Sequence, residues 1–554
     1  MLLSPRLLLL AALALIAASP ARAQPEAVPA EHPVYAFLHA QRVAGRLPGY
    51  RHEALPLDRR AVQRHLDALD GLRGDVSRTT RYWLDEYLRE FFEPDDGIES
   101  VLDAGAIRIP RGEDTEKFFV HFRDDDWRAV VSLGAGAQIR FADDSTSLRG
   151  FALLPSVTLE GNYREIVGWY SSTFNGVQFG GDTRVLQRDP VLAPLYYIGR
   201  QEIPQGSFDR TSASLRAGNA TFFAEIAHER LRVGAAADRP LMVADGSDYF
   251  SFIRGGLDTR VVQYQFIHAA LGEQSTNVLG DSGFVLVAPE RYMALHRVQL
   301  DLIPELSLGF TEAVVYGQRG PELAYLNPLF PIKPAEHSLW DRDNALFSLD
   351  AVVRPARGIE AYAAFLADDL DLSRLRQQSF NNKWAVQGGL ALALDGLLPG
   401  ATAWTEYTRI GPFVYTHRFE LDGSFYNSYI HNGFGIGHPI GPNADQVAAG
   451  LRLLLPVRAR LDLTARYVRR GENYVDEIGQ FVNVGGDVRD GSQPGFEIPG
   501  NVFLAGERFA GPGLRVEGSW EPIRDAGFRL YADVQRWSDA PTETFLRGEV
   551  YVNL

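Results

Sequence analysis

The stretch from Val447 to Val468 constrains the fold of this chain more than any other, because apolar and polar residues alternate along it. Its apolar residues stand at every second position: Val447, Ala449, Leu451, Leu453, Leu455, Val457, Ala459, Leu461, Leu463, Ala465 and Tyr467. Pro456 separates the two halves. Successive side chains of a β-strand point to opposite faces, so the stretch predicts a hairpin with one apolar and one polar face. Each arm has about 9–12 residues, which is the length that crosses a bilayer as a tilted strand.

Similar alternating segments follow one another from about Arg128 to Leu554, and we count about eighteen of them. Short connections lie at Pro304-Glu305, Arg354–Gly358, Asp395–Gly400, Pro456 and Glu521–Gly527, and long ones at Gly272–Arg291, Gly317–Asn344, Ala367–Asn382, Arg409–Asp445 and Arg470–Gly511. Outer-membrane barrels alternate short periplasmic turns with long extracellular loops in this way. We therefore predict an all-β fold over 128–554, a transmembrane antiparallel β-barrel. Its strand number should be even, because the first strand leaves the periplasm and the last strand returns to it.

A soluble β-propeller or solenoid is the structural alternative. A propeller requires a blade repeat of roughly 40–50 residues with a recurring motif. This chain repeats its patterning without repeating a motif, which favours the barrel.

The first 23 residues predict a secretory signal peptide. Arg6 provides a basic region, residues 7–18 are apolar, and Ala21-Arg22-Ala23 is a cleavage pattern. A short N-terminal anchor helix is the alternative interpretation. Export to the outer membrane follows from the signal peptide together with the barrel pattern.

Residues 24–97 are predicted to form a separate module, in which a Pro/Ala-rich linker over 24–30 precedes helical periodicity from Glu31 to about Phe92. Val34, Phe37 and Leu38 form one apolar stripe, and Asp58 and Ser77 are suited to cap two further helices. Three such short helices make a poor independent core, so we expect a small helical module that packs at the periplasmic end of the barrel. We interpret residues 98–127 as a transitional segment.

Composition excludes several classes of function. The chain contains no cysteine, which excludes disulfides and thiolate sites. Its net charge of −15 at pH 7 argues against nucleic acid as a partner. Arginines on the polar strand faces, among them Arg140, Arg452 and Arg466, stand beside acidic residues. Interstrand ion pairs inside the barrel are the simplest interpretation of these arginines, and an anion-selective or polysaccharide-binding lining is the alternative.

Two loops concentrate the candidate functional residues. The first contains Glu336, His337, Asp341, Asp343 and Asn344, and the second contains Tyr415, His417, His431 and His438 among several aromatic residues. A Glu/His/Asp group can perform acid–base chemistry or bind a metal, but these groups can equally hydrogen-bond one another in a loop folded into the barrel. Aromatic rings beside imidazoles suit the C–H faces and hydroxyls of sugars, or they pack a loop over the barrel mouth.

A third group, Asp368, Asp369 and Asp371, has the composition of a calcium-binding run. Solvation at the start of a loop explains the same three residues. We expect no metal site and no cofactor.

Several of these motifs also carry a family resemblance. They are Leu326–Leu329, Ala335–His337, Asp341–Leu346, Tyr362–Asp369, Pro412–His417, His431 and His438–Asn443. Together they resemble the Wzi-type capsule-assembly proteins of bacterial outer membranes. The resemblance implies an eighteen-stranded barrel with a helical element at its periplasmic end, and a lectin-like role in attaching or organising capsular polysaccharide.

We therefore expect a monomeric, non-enzymatic outer-membrane protein in contact with membrane lipid and surface polysaccharide. Its glycan contacts are expected among the nine residues named in the first two loops. A porin or solute-specific channel is the alternative, and it requires an open lumen. An outer-membrane enzyme is a third hypothesis, although the chain contains no G-x-S-x-G, P-loop or H-E-x-x-H motif.

Overall fold

The computed structural model describes residues 24–92, 99–100, 117–123, 126–143, 147–193, 207–244, 246–272, 276–280, 283–287, 290–340, 342–369, 382–417, 427–491 and 502–554. The predicted signal peptide, most of the transitional segment, and two residues singled out above, Asp341 and Asp371, lie outside the described residues.

Eighteen antiparallel strands close into one barrel, as the alternating pattern predicts. They are β1 (Trp127–Asp143), β2 (Leu148–Tyr163), β3 (Val167–Gly181), β4 (Ser207–Gly218), β5 (Phe222–Glu229), β6 (Phe250–Asp258), β7 (Val262–Leu271), β8 (Arg291–Ile303), β9 (Leu306–Gly317), β10 (Asn344–Ala356), β11 (Ile359–Asp369), β12 (Lys383–Ala393), β13 (Ala401–Ile410), β14 (Ala444–Leu455), β15 (Ala459–Glu472), β16 (Glu507–Ile523), β17 (Ala526–Gln535) and β18 (Glu543–Asn553). Strand β18 pairs with β1 and closes the barrel. A short strand, Val120–Arg123, also pairs with β1.

The hairpin predicted around Pro456 is β14 and β15. Val447 pairs with Tyr467 and Arg452 pairs with Asp462, so apolar and charged side chains occupy opposite faces of the same strand pair. Val447 and Tyr467 are at least half exposed on the outside, whereas Arg452 and Asp462 form an ion pair at 2.6 Å. The apolar outer face matches the lipid-facing belt of an outer-membrane barrel.

The connections follow the predicted alternation with two exceptions. The predicted short turns all join strands at one end of the barrel, and the predicted long connections all join strands at the other end. Only residues 144–147 separate β1 from β2, and only 536–542 separate β17 from β18, although both connections lie at the long-loop end. The alternation is therefore not strict.

Three helices at the short-turn end confirm the helical module: α1 (Val34–Val43), α2 (Arg59–Asp70) and α3 (Arg78–Phe91). The Asp58 carboxylate accepts a hydrogen bond from the Ala61 N–H, and the Ser77 hydroxyl accepts one from the Thr80 N–H, as expected of N-caps. The indole of Trp83 donates to the Leu455 carbonyl at 3.1 Å. The helices therefore pack against the short turns and brace the periplasmic end of the barrel.

The connection between β5 and β6 folds into the lumen, which the sequence did not indicate. We call residues 230–244 the lumen segment. Its Arg232–Val233 pairs with Ala54–Leu55, which precedes α2. Leu241, Met242 and Val243 are at most 1% exposed. They pack with inward-facing residues of strands β5 to β13. A loop from the extracellular end thus meets the helical module inside the barrel.

The connection between β9 and β10 folds the other way, down the outside of the wall. It contains α4 (Leu323–Leu326) and α5 (Ile332–Ser338), and we call residues 318–340 the outer cover. Met293, Leu295, Ala313 and Val315 pack with the lumen segment, while the intervening residues Ala294, Val314 and Tyr316 pack with Tyr325, Ile332 and Ala335 of the cover. Because neighbouring residues of a strand face opposite sides, the cover lies on the outer surface. The alternative of a loop folded into the barrel is wrong for this connection.

Within the described residues, no helix combines the length and the apolarity that crossing a membrane would require.

Candidate functional site at the extracellular mouth

Ion pairs anchor inserted segments to the inner wall of the barrel. Asp238 of the lumen segment pairs with Arg515 of β16 at 2.5 Å. Asp189, in the connection between β3 and β4, is 0% exposed and pairs with Arg140 at 2.8 Å and Arg547 at 2.9 Å. Some inward-facing arginines thus neutralise inserted segments, in addition to pairing between strands.

The second predicted loop closes over the lumen segment. The Tyr415 hydroxyl donates to the Leu241 carbonyl at 2.7 Å, and the Ala244 N–H donates to the Ile436 carbonyl at 3.0 Å. We call the described parts of this loop, residues 411–417 and 427–443, the mouth loop. Its contacts with the lumen segment produce one packed layer beneath the extracellular rim.

A cavity of about 330 Å³ lies near the start of β18, between the wall, the connection from β3 to β4 and Phe434 of the mouth loop. Its lining is Ala142, Asp143, Gln187, Arg188, Pro190, Ala193, Phe434, Arg466, Tyr531, Asp533, Gln535, Glu543, Thr544 and Phe545. Three of these side chains are aromatic, and most of the others carry charges or amides. Concave sites that combine aromatic surface with a few polar groups are typical ligand sites.

Polar side chains in the cavity are held in fixed positions. Arg466 donates to Asp533 at 2.6 Å and to Gln535 at 3.0 Å. Glu543 accepts a hydrogen bond from the indole of Trp537 at 3.2 Å. Phe434 of the mouth loop is 38% exposed. The cavity can therefore offer an aromatic face beside oriented donors and acceptors, which is the chemistry that a hydroxyl-rich ligand requires.

The residues predicted in the mouth loop are mostly buried. Tyr415, His431 and His438 are at most 5% exposed, and His417 is partly exposed. His431 accepts from the Gly272 N–H at 2.8 Å through Nδ1, and its Nε2 lies 2.7 Å from the Tyr249 carbonyl. Burial lowers the pKa of His431 to about 4 and that of His438 to about 3. Both imidazoles are therefore neutral at physiological pH and serve as hydrogen-bonding groups within the fold.

The residues predicted in the first loop lie elsewhere, in and beside the outer cover. Glu336 is 3% exposed and pairs with Lys333, and Asp343 accepts from the Tyr325 hydroxyl at 2.8 Å. His337 is exposed on α5. Asn344 donates to the Asn427 carbonyl at 2.9 Å, which links the two loops. The nine predicted residues therefore do not converge on one site.

Asp368, the first residue of the acidic run considered for calcium, is buried and hydrogen-bonded within the fold. Asp368 is 3% exposed, its carboxylate accepts from the Tyr415 N–H at 2.6 Å, and Lys383 lies 3.9 Å away. Among the described residues, no three His, Cys, Asp or Glu side chains are grouped as metal ligands would be.

Most of the cavity could not be predicted from sequence. Phe434 is one of several aromatic residues in its loop, and Arg188 and Tyr531 belong to no motif. These residues come from chain segments far apart in sequence, and only closure of the barrel brings β18 beside β1. No local pattern could have indicated the cavity.

No protein-family model matches the chain, and no curated protein matches it by sequence. Among solved structures it is similar to Wzi, an outer membrane protein involved in group 1 capsule assembly in Escherichia coli and described as a carbohydrate-binding β-barrel. The match has 13% identity and a TM-score of 0.59, and covers 95% of this chain and 99% of Wzi.

Two further matches are weaker. OprD from Pseudomonas aeruginosa has 11% identity and a TM-score of 0.42, over 76% of this chain and 95% of OprD. OccAB4 from Acinetobacter baumannii has 8% identity and a TM-score of 0.43, over 78% of this chain and 98% of its own. Both TM-scores are too low to support an argument. The fold is Wzi-like and is that of an outer-membrane barrel.

Proposed function

We propose that this protein is a non-enzymatic outer-membrane barrel that binds polysaccharide at the cell surface, and that the sugar chain contacts the mouth cavity. The observation that supports the proposal is a cavity with aromatic and polar walls at the extracellular end. The lumen segment and the mouth loop pack together inside the barrel against strands β5 to β13. The cavity has room for part of a glycan, and the inserted protein favours retention over passage.

The description of Wzi as carbohydrate-binding supports the same class of ligand. A sequence identity of 13% is too low to assign the ligand of Wzi to this chain, so the proposal depends on the cavity. Of the residues predicted from sequence, His417 of the mouth loop retains exposed surface and remains a candidate for a further contact. The buried residues Tyr415, His431 and His438 would act indirectly, by holding the mouth loop in place.

The test is retention of the host's own surface polysaccharide by the purified full-length protein. We expect Phe434→Ala to weaken retention about fivefold, since one aromatic contact is worth about 1 kcal/mol. Phe481→Ala is the matched control, because Phe481 is also exposed on an extracellular connection, at 54%, and does not line the cavity. A wild-type protein that retains no polysaccharide, or equal retention by the Phe434 variant, would contradict the proposal.

A further inference from the structure

The outer cover protects polar groups on a wall that otherwise faces lipid. His296 of β8 and Glu312 of β9 point outward and lie 3.1 Å apart, and Glu312 also accepts from the Ile332 N–H of the cover at 3.0 Å. Polar groups of this kind are costly in hydrocarbon. Further down the same outer face of β9, Phe310 is 42% exposed. The covered part of the wall thus contains polar groups as well as apolar ones, whereas the neighbouring bare surface at Phe310 is apolar.

The cover turns apolar side chains away from the wall. Leu323 is 80% exposed, Leu329 is 86% exposed and Trp340 is 89% exposed. Isolated exposed leucines are common on soluble surfaces. These three differ because the element that carries them lies along the membrane-spanning part of the barrel.

The depth of these side chains follows from their neighbours. The Tyr264 hydroxyl donates to the Pro328 carbonyl, and Tyr264 lies near the periplasmic end of β7, which begins at Val262. Leu329, next to Pro328, therefore lies well below the extracellular rim. Trp340 lies four residues before Asn344, the first residue of β10, and thus close to the rim. Leucine at depth and tryptophan at the interface is the distribution that a bilayer favours.

We propose that the outer cover is a lipid-contacting surface, on which Leu323 and Leu329 meet acyl chains and Trp340 lies at the headgroup level. We choose lipid because the exposed surface of the cover is continuous with the apolar belt of the barrel. Phe310 and Leu349 are neighbouring outward-facing residues of that belt. This inference does not depend on polysaccharide binding.

The residues that follow the cover contact the mouth loop. The Asn427 side chain donates to the Arg342 carbonyl at 3.0 Å, and its own carbonyl accepts from the Asn344 amide at 2.9 Å.

The absence of native cysteine permits single-site spin labelling of the full chain in liposomes. Labels at Leu329→Cys and Leu323→Cys would be compared with Leu349→Cys on the bare wall of β10 and with Ile478→Cys, which is 77% exposed on an extracellular connection. The measurement is the collision rate of each label with oxygen and with a polar nickel chelate. We expect both cover labels to match the wall label, with nickel accessibility at least about fivefold below that of position 478, because the chelate partitions poorly into hydrocarbon.

Two results would overturn the proposal. Nickel accessibility equal to that at position 478 would mean that the cover lies in water. Low accessibility to both reagents, with spin–spin broadening that disappears on dilution with unlabelled protein, would mean that a second copy of the chain occupies this surface.

Discussion

Asp189 lies fully buried between Arg140 and Arg547, which project inward from β1 and β18. Asp189→Asn should lower the free energy of unfolding by about 3 kcal/mol, because it removes the buried carboxylate charge that pairs with both arginines. The measurement is urea-induced unfolding of the protein in lipid vesicles. Asp182→Asn is the control, since Asp182 belongs to the same connection and pairs with the exposed Arg184 at 2.6 Å. We expect a change below about 0.5 kcal/mol there, and equal effects of the two substitutions would contradict this account.

His431 gives the mouth loop a pH dependence. Its pKa is about 4 in the folded protein against an ordinary value of 6.5, so protonation favours the open loop. The stability contributed by the neutral imidazole is complete above pH 6.5 and decreases as pH falls toward 4, by roughly 3 kcal/mol over that window. Protease cleavage within the mouth loop should accelerate accordingly. His337→Gln, at an exposed position, should leave the profile unchanged, whereas a flat wild-type profile would contradict the prediction.

At the scale of elements, α3 is joined to two periplasmic turns by one carboxylate. Glu86 pairs with Arg458 at 2.9 Å and with Arg524 at 2.6 Å. Glu86→Gln should lower hydrogen-exchange protection of α3 amides about tenfold or more, because both ion pairs between the helix and the turns are lost. Asp85→Asn, at the adjacent exposed position, removes only the pair with Arg73 and should change little. Unchanged protection in the Glu86 variant would indicate that apolar packing alone holds the helix.

Elements were predictable from sequence where a local pattern determines them. The β14–β15 hairpin, the Pro456 turn and the caps at Asp58 and Ser77 each depend on a few neighbouring residues. The lumen segment and the outer cover were not predictable, because their positions depend on contacts with distant strands. Where a strand is covered on both faces, its residues no longer alternate between apolar and polar. The burial of Val314 and Tyr316 on the outer wall therefore could not be predicted from the pattern.

At the scale of the whole molecule, the lumen segment and the mouth loop pack inside an eighteen-stranded barrel. The helical module lies at its periplasmic end. The sequence predicted the wall, its strand parity and the position of the helices. It left the choice between an open and a filled lumen undecided, because an inward arginine pattern is compatible with both. The packing of the lumen segment between the helical module and the mouth loop is the structural argument for a surface-binding protein.

The most direct test of this account is conductance in planar lipid bilayers. We expect the wild-type protein to give no stable current, because the lumen segment and the mouth loop occupy the lumen. A variant in which residues 234–242 are replaced by a short glycine-serine linker should conduct, since the strands that form the wall are retained. A steady current through the wild-type barrel would contradict the filled lumen and would favour a solute channel.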